Sequence, residues 1–160
     1  MILVIDDFYE NPEKVRKHGL SQDFVVSGNF PGVRTVPDYS QDLKPRLEHL
    51  LGTSVHEIVS VFQKKSEKDF SWIHNDNGCC KWVMVIYLDP KADVSSGIEF
   101  YKLFDGSLTV NPHNSKIAHK GPYETVDKIG HVYNRAILFD AKKFHMGLSG
   151  KRLSQVFFIS

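Results

Sequence analysis

Cysteine is scarce in this sequence: the 160 residues contain two, the adjacent Cys79 and Cys80. Neighbours on an extended segment point to opposite faces, so the pair is poorly placed for a disulfide and a reduced, cytoplasmic setting is the simpler reading. Long hydrophobic runs are missing too. The longest, Trp82 to Leu88, is far too short to cross a bilayer. The opening MILVIDDFYE has no basic leader and turns acidic at Asp6, which is not the pattern of a secretory signal. Neither sign of charge is in excess, since 20 Lys and Arg face 19 Asp and Glu. That balance offers no footprint for a polyphosphate backbone and argues against nucleic acid as a partner. With no repeat, low-complexity tract or linker, residues 1–160 read as one domain, long enough to bury a core without disulfides or structural metal.

What is present is a change of period along the chain. Ile2 to Ile5 reads as a short buried strand. Asn11-Pro12-Glu13 starts a helix running to about His18, and Asp42 to Leu51 forms a second, stopped by Gly52. Ser27 to Tyr39 carries Gly28, Pro31, Gly32 and Pro37 and reads as loop. Beyond it, 58–63, 81–88, 98–103, 135–140 and 153–160 are rich in Val, Ile, Phe and Tyr and read as strands. Two helices followed by a series of strands predict a mainly β (α+β) chain with helices on one side of a β-core. The polar stretch between Phe104 and Val132 is too long for a passive connection and reads as a lid or insertion, 104–132.

Three fragments carry chemistry: SWIHND at 71–76, FDAKKFHMG at 139–147 and KRLSQVFF at 151–158. On an extended segment His74 and Asp76 share a face, so an imidazole nitrogen and a carboxylate oxygen can reach one metal ion. A distant histidine, His145, would complete a facial triad of the kind that leaves three positions open on iron(II) for an oxo-acid and dioxygen. A lone His-x-Asp is weak, because chance alone gives about 0.6 in a chain of this composition. Order and context add the information. The motif occurs once, a late histidine follows, and after it comes the single Arg-x-Ser of the chain, Arg152-Leu153-Ser154. An arginine in an otherwise apolar strand needs an anion, and the distal carboxylate of a dicarboxylic acid would fit its fork, with the Ser154 hydroxyl on the same face. Plainer readings exist for each residue. His74 and Asp76 would serve as turn hydrogen-bonders, His145 as a satisfied core histidine, Arg152 as an ion-pair partner of Asp140 or Glu99, and Cys79 and Cys80 as packing residues. The other histidines, 18, 49, 56, 113, 119 and 131, show no metal spacing and read as surface or loop residues.

The order His-x-Asp, distal His, Arg-x-Ser resembles that of the iron(II)/2-oxoglutarate dioxygenase superfamily. Nearly the whole chain is similar to the small prolyl-4-hydroxylase-like members of bacteria and their phages. IDDFYENPEKVR, FPGVR, WVMVIYLDP, SSGIEFYK and NRAILFD carry the likeness. The resemblance implies a double-stranded β-helix (jelly roll) with N-terminal supporting helices and iron(II) on His74, Asp76 and His145. It implies 2-oxoglutarate as cosubstrate on Arg152, helped by Tyr87 and Ser154, and dioxygen as oxidant. The implied reaction is hydroxylation of a C–H bond in a peptide, protein or small molecule, with release of succinate and carbon dioxide. Its rivals are a silent jelly-roll binding module and a cupin-like enzyme using another metal. Six residues separate His145 from Arg152, which implies a tight hairpin through Gly147 and Gly150.

Overall fold

Alternation of apolar side chains builds two sheets that face each other, in a computed structural model that describes residues 1–103 and 123–160. The larger sheet has six strands in the order β1 (Ile2–Ile5), β7 (Ala136–Asp140), β4 (Trp82–Tyr87), β9 (Arg152–Ile159), β3 (Ile58–Lys65) and β2 (Val33–Arg34). The smaller has β6 (Tyr123–Ile129), β5 (Ile98–Leu103) and β8 (Phe144–Gly147). Neighbouring strands are antiparallel throughout. The result is the double-stranded β-helix expected, with two helices against one face of the larger sheet.

Those helices start and stop where local chemistry directs. α1 (Pro12–Ser21) places proline at its start, where no N–H is needed, and the Asn11 side chain accepts from the Lys14 N–H at 3.1 Å. α2 (Lys44–Leu51) ends at Gly52, whose left-handed φ of 65° lets its N–H close back on the Glu48 carbonyl. On this side Leu47 and Phe8 bury against Met84, Ile86, Leu138, Phe157 and Ile159. Residues of the opposite parity, Val61, Val83, Tyr87, Ile137, Phe139 and Val156, meet Ile98 and Phe100 of the smaller sheet. The period of two therefore gives the large sheet one face for the helices and one for a cavity. Among the described residues no helix is long and apolar enough to cross a membrane.

Three strands depart from the sequence expectation. β2 is two residues inside the expected loop, β8 is four residues, and the exposed middle of β6 gives it no apolar alternation. β6 is held by backbone pairing to β5 instead. Of the lid expected over 104–132, residues 104–122 lie outside the described residues, and Tyr123–Ile129 is this sheet strand. The hairpin expected between His145 and Arg152 does not form. β8 pairs with β5 while β9 pairs with β3 and β4, so the short turn carries the chain from one sheet to the other.

Candidate active site

The extended segment 72–76 runs beside 141–145. His74 and His145 exchange both backbone hydrogen bonds, His74 N–H to the His145 carbonyl at 3.0 Å and the reverse at 2.8 Å. This pairing sets the two imidazoles side by side, with ring centroids 4.3 Å apart. The Asp76 N–H donates to the Ala141 carbonyl at 2.9 Å, and its carboxylate, two residues from His74, falls on the same face. One ligand atom from each of the three lies within 4.8 Å of the others.

Both histidines are oriented by the same device. Each Nδ1 lies 3.0 Å from the carbonyl oxygen two residues earlier, that of Trp72 for His74 and Lys143 for His145. A carbonyl only accepts, so Nδ1 carries the proton and Nε2 turns its lone pair outward. Burial, reinforced by neighbouring His74 and opposed by Asp76, pushes the His145 imidazole down to about 4. It is neutral near pH 7, the form that ligates metal. Its Nε2 is 3.5 Å from Asp76 Oδ2. Two imidazoles and a carboxylate on one side of an open cavity fit a divalent transition metal that keeps positions free for other ligands.

The cavity, about 310 Å³, runs from this donor set along the inner face of the large sheet. Its far end is built by β3, β4 and β9. Lys65 and Arg152 face each other across the β3–β9 pairing, and Tyr87 faces Ser154 across β4–β9. Lys65 is 3% exposed; its Nζ donates to Ser71 Oγ at 2.7 Å and to the Leu148 carbonyl at 2.8 Å. Arg152, half-buried, donates from one Nη to the carbonyls of Ser96 and Leu148, and the side chain passes so close to Gly147 that a Cβ there would strike it. Among the described residues neither cation meets a carboxylate. Asp140 and Glu99, the ion-pair partners expected under the plainer reading, lie elsewhere: Glu99 pairs with Lys128 at 3.4 Å. Burial pushes Lys65 down to about 8, helped by the charge of Arg152 and opposed by Asp69. Burial lowers Arg152 as well. Tyr87 Oη and Ser154 Oγ are buried and have no hydrogen-bond partner among the described residues. Two adjacent cations without an acid, beside two unused hydroxyls, leave a large desolvation cost that a bound anion would offset.

All six residues singled out in the sequence therefore line one cavity, with His74, Asp76 and His145 at one end and Arg152, Tyr87 and Ser154 at the other. Sequence reasoning missed Lys65, although alternation from Val61 through Gln63 places it on the same face. It also missed His131, which is buried rather than a surface residue. His131 stacks on Tyr87 at 4.2 Å and 16°, and its Nε2 lies 3.0 Å from the Asp89 carbonyl. That stack fixes the ring of Tyr87, which lines the cavity. Cys79 borders the cavity and Cys80 packs beside it; both thiols are free, and neither belongs to the donor cluster.

No protein-family model matches the sequence, and no curated protein matches it. Solved structures do. A prolyl-4-hydroxylase from Pseudomonas putida superposes with a TM-score of 0.60 at 12% identity, over 99% of this chain and 91% of that one. HygX from Streptomyces hygroscopicus, with nickel, 2-oxoglutarate and hygromycin B bound, gives 0.62 at 15%, over 99% and 81%. An oxidoreductase of the 2OG-Fe(II) oxygenase family from Burkholderia pseudomallei gives 0.58 at 14%, over 99% and 85%. The fold is that of the 2-oxoglutarate/iron oxygenases. Within this oxygenase fold the donor set sits between the sheets, where the small sheet and the 72–76 segment bring His145 and His74 together.

Proposed function

We propose that this chain is an iron(II)- and 2-oxoglutarate-dependent oxygenase that hydroxylates a C–H bond of a peptide or small-molecule substrate. One observation carries the reading: among the described residues a single cavity has a facial donor set at one end and, at the other, two cations and two unused hydroxyls with no acid among them. A dicarboxylate that chelates a metal through one end needs both. His74, Asp76 and His145 would hold the iron through Nε2, a carboxylate oxygen and Nε2. Arg152 and Lys65 would hold the distal carboxylate, with the Tyr87 and Ser154 hydroxyls donating to it. HygX was crystallised with nickel and 2-oxoglutarate, which supports the same cosubstrate here.

Bound iron(II), 2-oxoglutarate and dioxygen together supply a C–H hydroxylation, releasing succinate and carbon dioxide. The chain's own part is positional. The carbonyls of Trp72 and Lys143 fix the histidine tautomers, and Phe139, 4.8 Å from the His145 ring centroid, walls that ligand. Val85 and Val156 line the stretch between the two ends and keep it apolar, which strengthens the charge contacts at either end. The free thiols suit a reducing, cytoplasmic setting.

Succinate release tests this. With iron(II) in air, the protein should convert 2-oxoglutarate to succinate slowly without a substrate, and zinc(II) should support none. Succinate formation that ignores the identity of the metal, or that persists in His145→Ala, would contradict the proposal. A silent binding module would form no succinate under any of these conditions.

A further inference from the structure

The cavity holds a third cation that neither the metal nor the cosubstrate employs. Arg34, at the end of the FPGVR turn, borders the metal end of the cavity. Its Nε donates to Gln63 Oε1 at 2.9 Å, and its guanidinium carbon lies 3.9 Å from the Phe30 ring centroid and 5.4 Å from that of Phe158. The turn that presents it is firmly built. Gln63 Nε2 donates to the Pro31 carbonyl at 2.7 Å, so one amide clamps both sides of the turn. Gly32 has φ 79°, and a Cβ there would strike the Lys64 carbonyl oxygen. Among the described residues neither Nη has a hydrogen-bond or ion-pair partner. Burial pushes Arg34 down to about 10, against the attraction of the Asp76 and Cys79 charges. Asn75, on the same cavity wall, has a buried Nδ2 with no partner, while its Oδ1 accepts from the Asn77 N–H at 3.2 Å. That acceptor bond fixes which end of the amide is the nitrogen.

Formal charge then separates the roles, taking the proposed oxygenase reading as given. A divalent metal, Asp76 and a dicarboxylate leave one negative charge, which Lys65 and Arg152 more than offset. Arg34 is surplus to that account. Its aromatic packing and the Gln63 clamp hold a fork of two N–H groups in place before any ligand arrives, the arrangement that favours a planar carboxylate. We infer that the primary substrate bears a carboxylate that binds the Nη groups of Arg34, with Asn75 donating beside it, and that Arg34 is a specificity-determining residue. At the metal end the divalent metal is balanced by Asp76 and the chelating carboxylate, so the single charge of Arg34 there suits a monoanion better than a phosphate dianion. The carboxylate belongs either to a free small acid or to a peptide, through its C-terminus or an acidic side chain.

The test is calorimetry under nitrogen on protein loaded with iron(II) and saturating 2-oxoglutarate, whose visible charge-transfer band reports cosubstrate binding separately. The probes are free amino acids, N-acetyl amino acids and tripeptides with free C-termini, each beside its primary amide, with phosphoserine tripeptide amides as the phosphate arm. At least one acid should bind, and its amide should bind at least about tenfold more weakly, as loss of one charge-assisted contact requires. Binding confined to peptides or to free acids identifies the source. Arg34→Gln should weaken the acid at least about tenfold while hardly moving its amide, and Arg34→Lys should keep part of the preference because the charge remains. Melting temperature checks that both variants fold. The inference is overturned if no acid exceeds its amide, if the phosphate arm binds better, or if folded Arg34→Gln and Arg34→Lys both keep the parent's preference. It is also overturned if Arg34→Gln weakens the charge-transfer band, since Arg34 would then serve the cosubstrate. A parent that shows no band at all contradicts the oxygenase reading instead, and the acid–amide comparison still judges Arg34.

Discussion

The two ends of the cavity are made in different ways. The metal end is backbone work: His74 and His145 are bridge partners, and each imidazole is aimed by a carbonyl two residues earlier in its own segment. The cation end is made by facing side chains of strands far apart in sequence, with Lys65 opposite Arg152 and Tyr87 opposite Ser154. The three ligands of the first end leave open only the lone pairs they offer. The second is left with excess positive charge and two idle hydroxyls. Removing a group from the metal end therefore costs function more than stability, whereas at the cation end the cost in stability depends on the hydrogen bonds each group already makes.

The sharpest break of this contrast is His145→Ala. Its loss should abolish succinate formation, exceeding the roughly 10–100-fold that loss of an outer-shell partner costs, while circular dichroism shows a folded protein. Next comes Arg152→Ala. A buried carboxylate losing its charged partner costs about 3–5 kcal/mol, so the dissociation constant for 2-oxoglutarate should rise more than a hundredfold, with iron binding nearly unchanged. This variant should also melt lower, because the carbonyls of Ser96 and Leu148 lose their donor. An unchanged 2-oxoglutarate affinity would place the anion elsewhere.

Tyr87→Phe separates binding from stability. The hydroxyl has no described partner, so the free protein should lose nothing on its removal, while 2-oxoglutarate binding weakens by about 1.5–3 kcal/mol, the worth of a hydrogen bond to a charged group. A free protein that is clearly destabilised would show that the hydroxyl is already in use.

The smallest effect is the pH dependence set by Lys65. Its folded value, about 8, lies below the ordinary 10.5, so between the two the unfolded chain binds more protons and the ligand-free protein gains stability as pH rises. The cation that the distal carboxylate needs is lost over the same range. Affinity for 2-oxoglutarate should fall about tenfold from pH 7.5 to 9.5, and Lys65→Arg should flatten the fall. Equal slopes in both proteins would remove Lys65 from the site.

Much of this contrast was legible in the sequence, unevenly. The metal end could be read because its signals are local: His74 and Asp76 share a face by spacing alone, and His145 follows a strand in the expected order. Arg152 stood out as a charge in an apolar strand. Lys65 did not, because its meaning depends on the register that sets it opposite Arg152, and register is a property of two strands. Arg34 was hidden in a stretch that reads as loop, where a two-residue strand and a clamped turn give it a fixed direction. β6 escaped because backbone pairing rather than burial holds it, leaving no apolar alternation. His131 looked like a loop residue and is one by position, yet its stack on Tyr87 buries it.

The central claim is that one dicarboxylate bridges the two ends. Anaerobic addition of iron(II) and then 2-oxoglutarate to the metal-free protein tests it most directly. The account predicts a visible metal-to-ligand charge-transfer band that appears only when both are present, disappears in His145→Ala, and needs far more 2-oxoglutarate in Arg152→Ala. No band in the parent, or a band in Arg152→Ala that saturates at the parent's concentration, would contradict it.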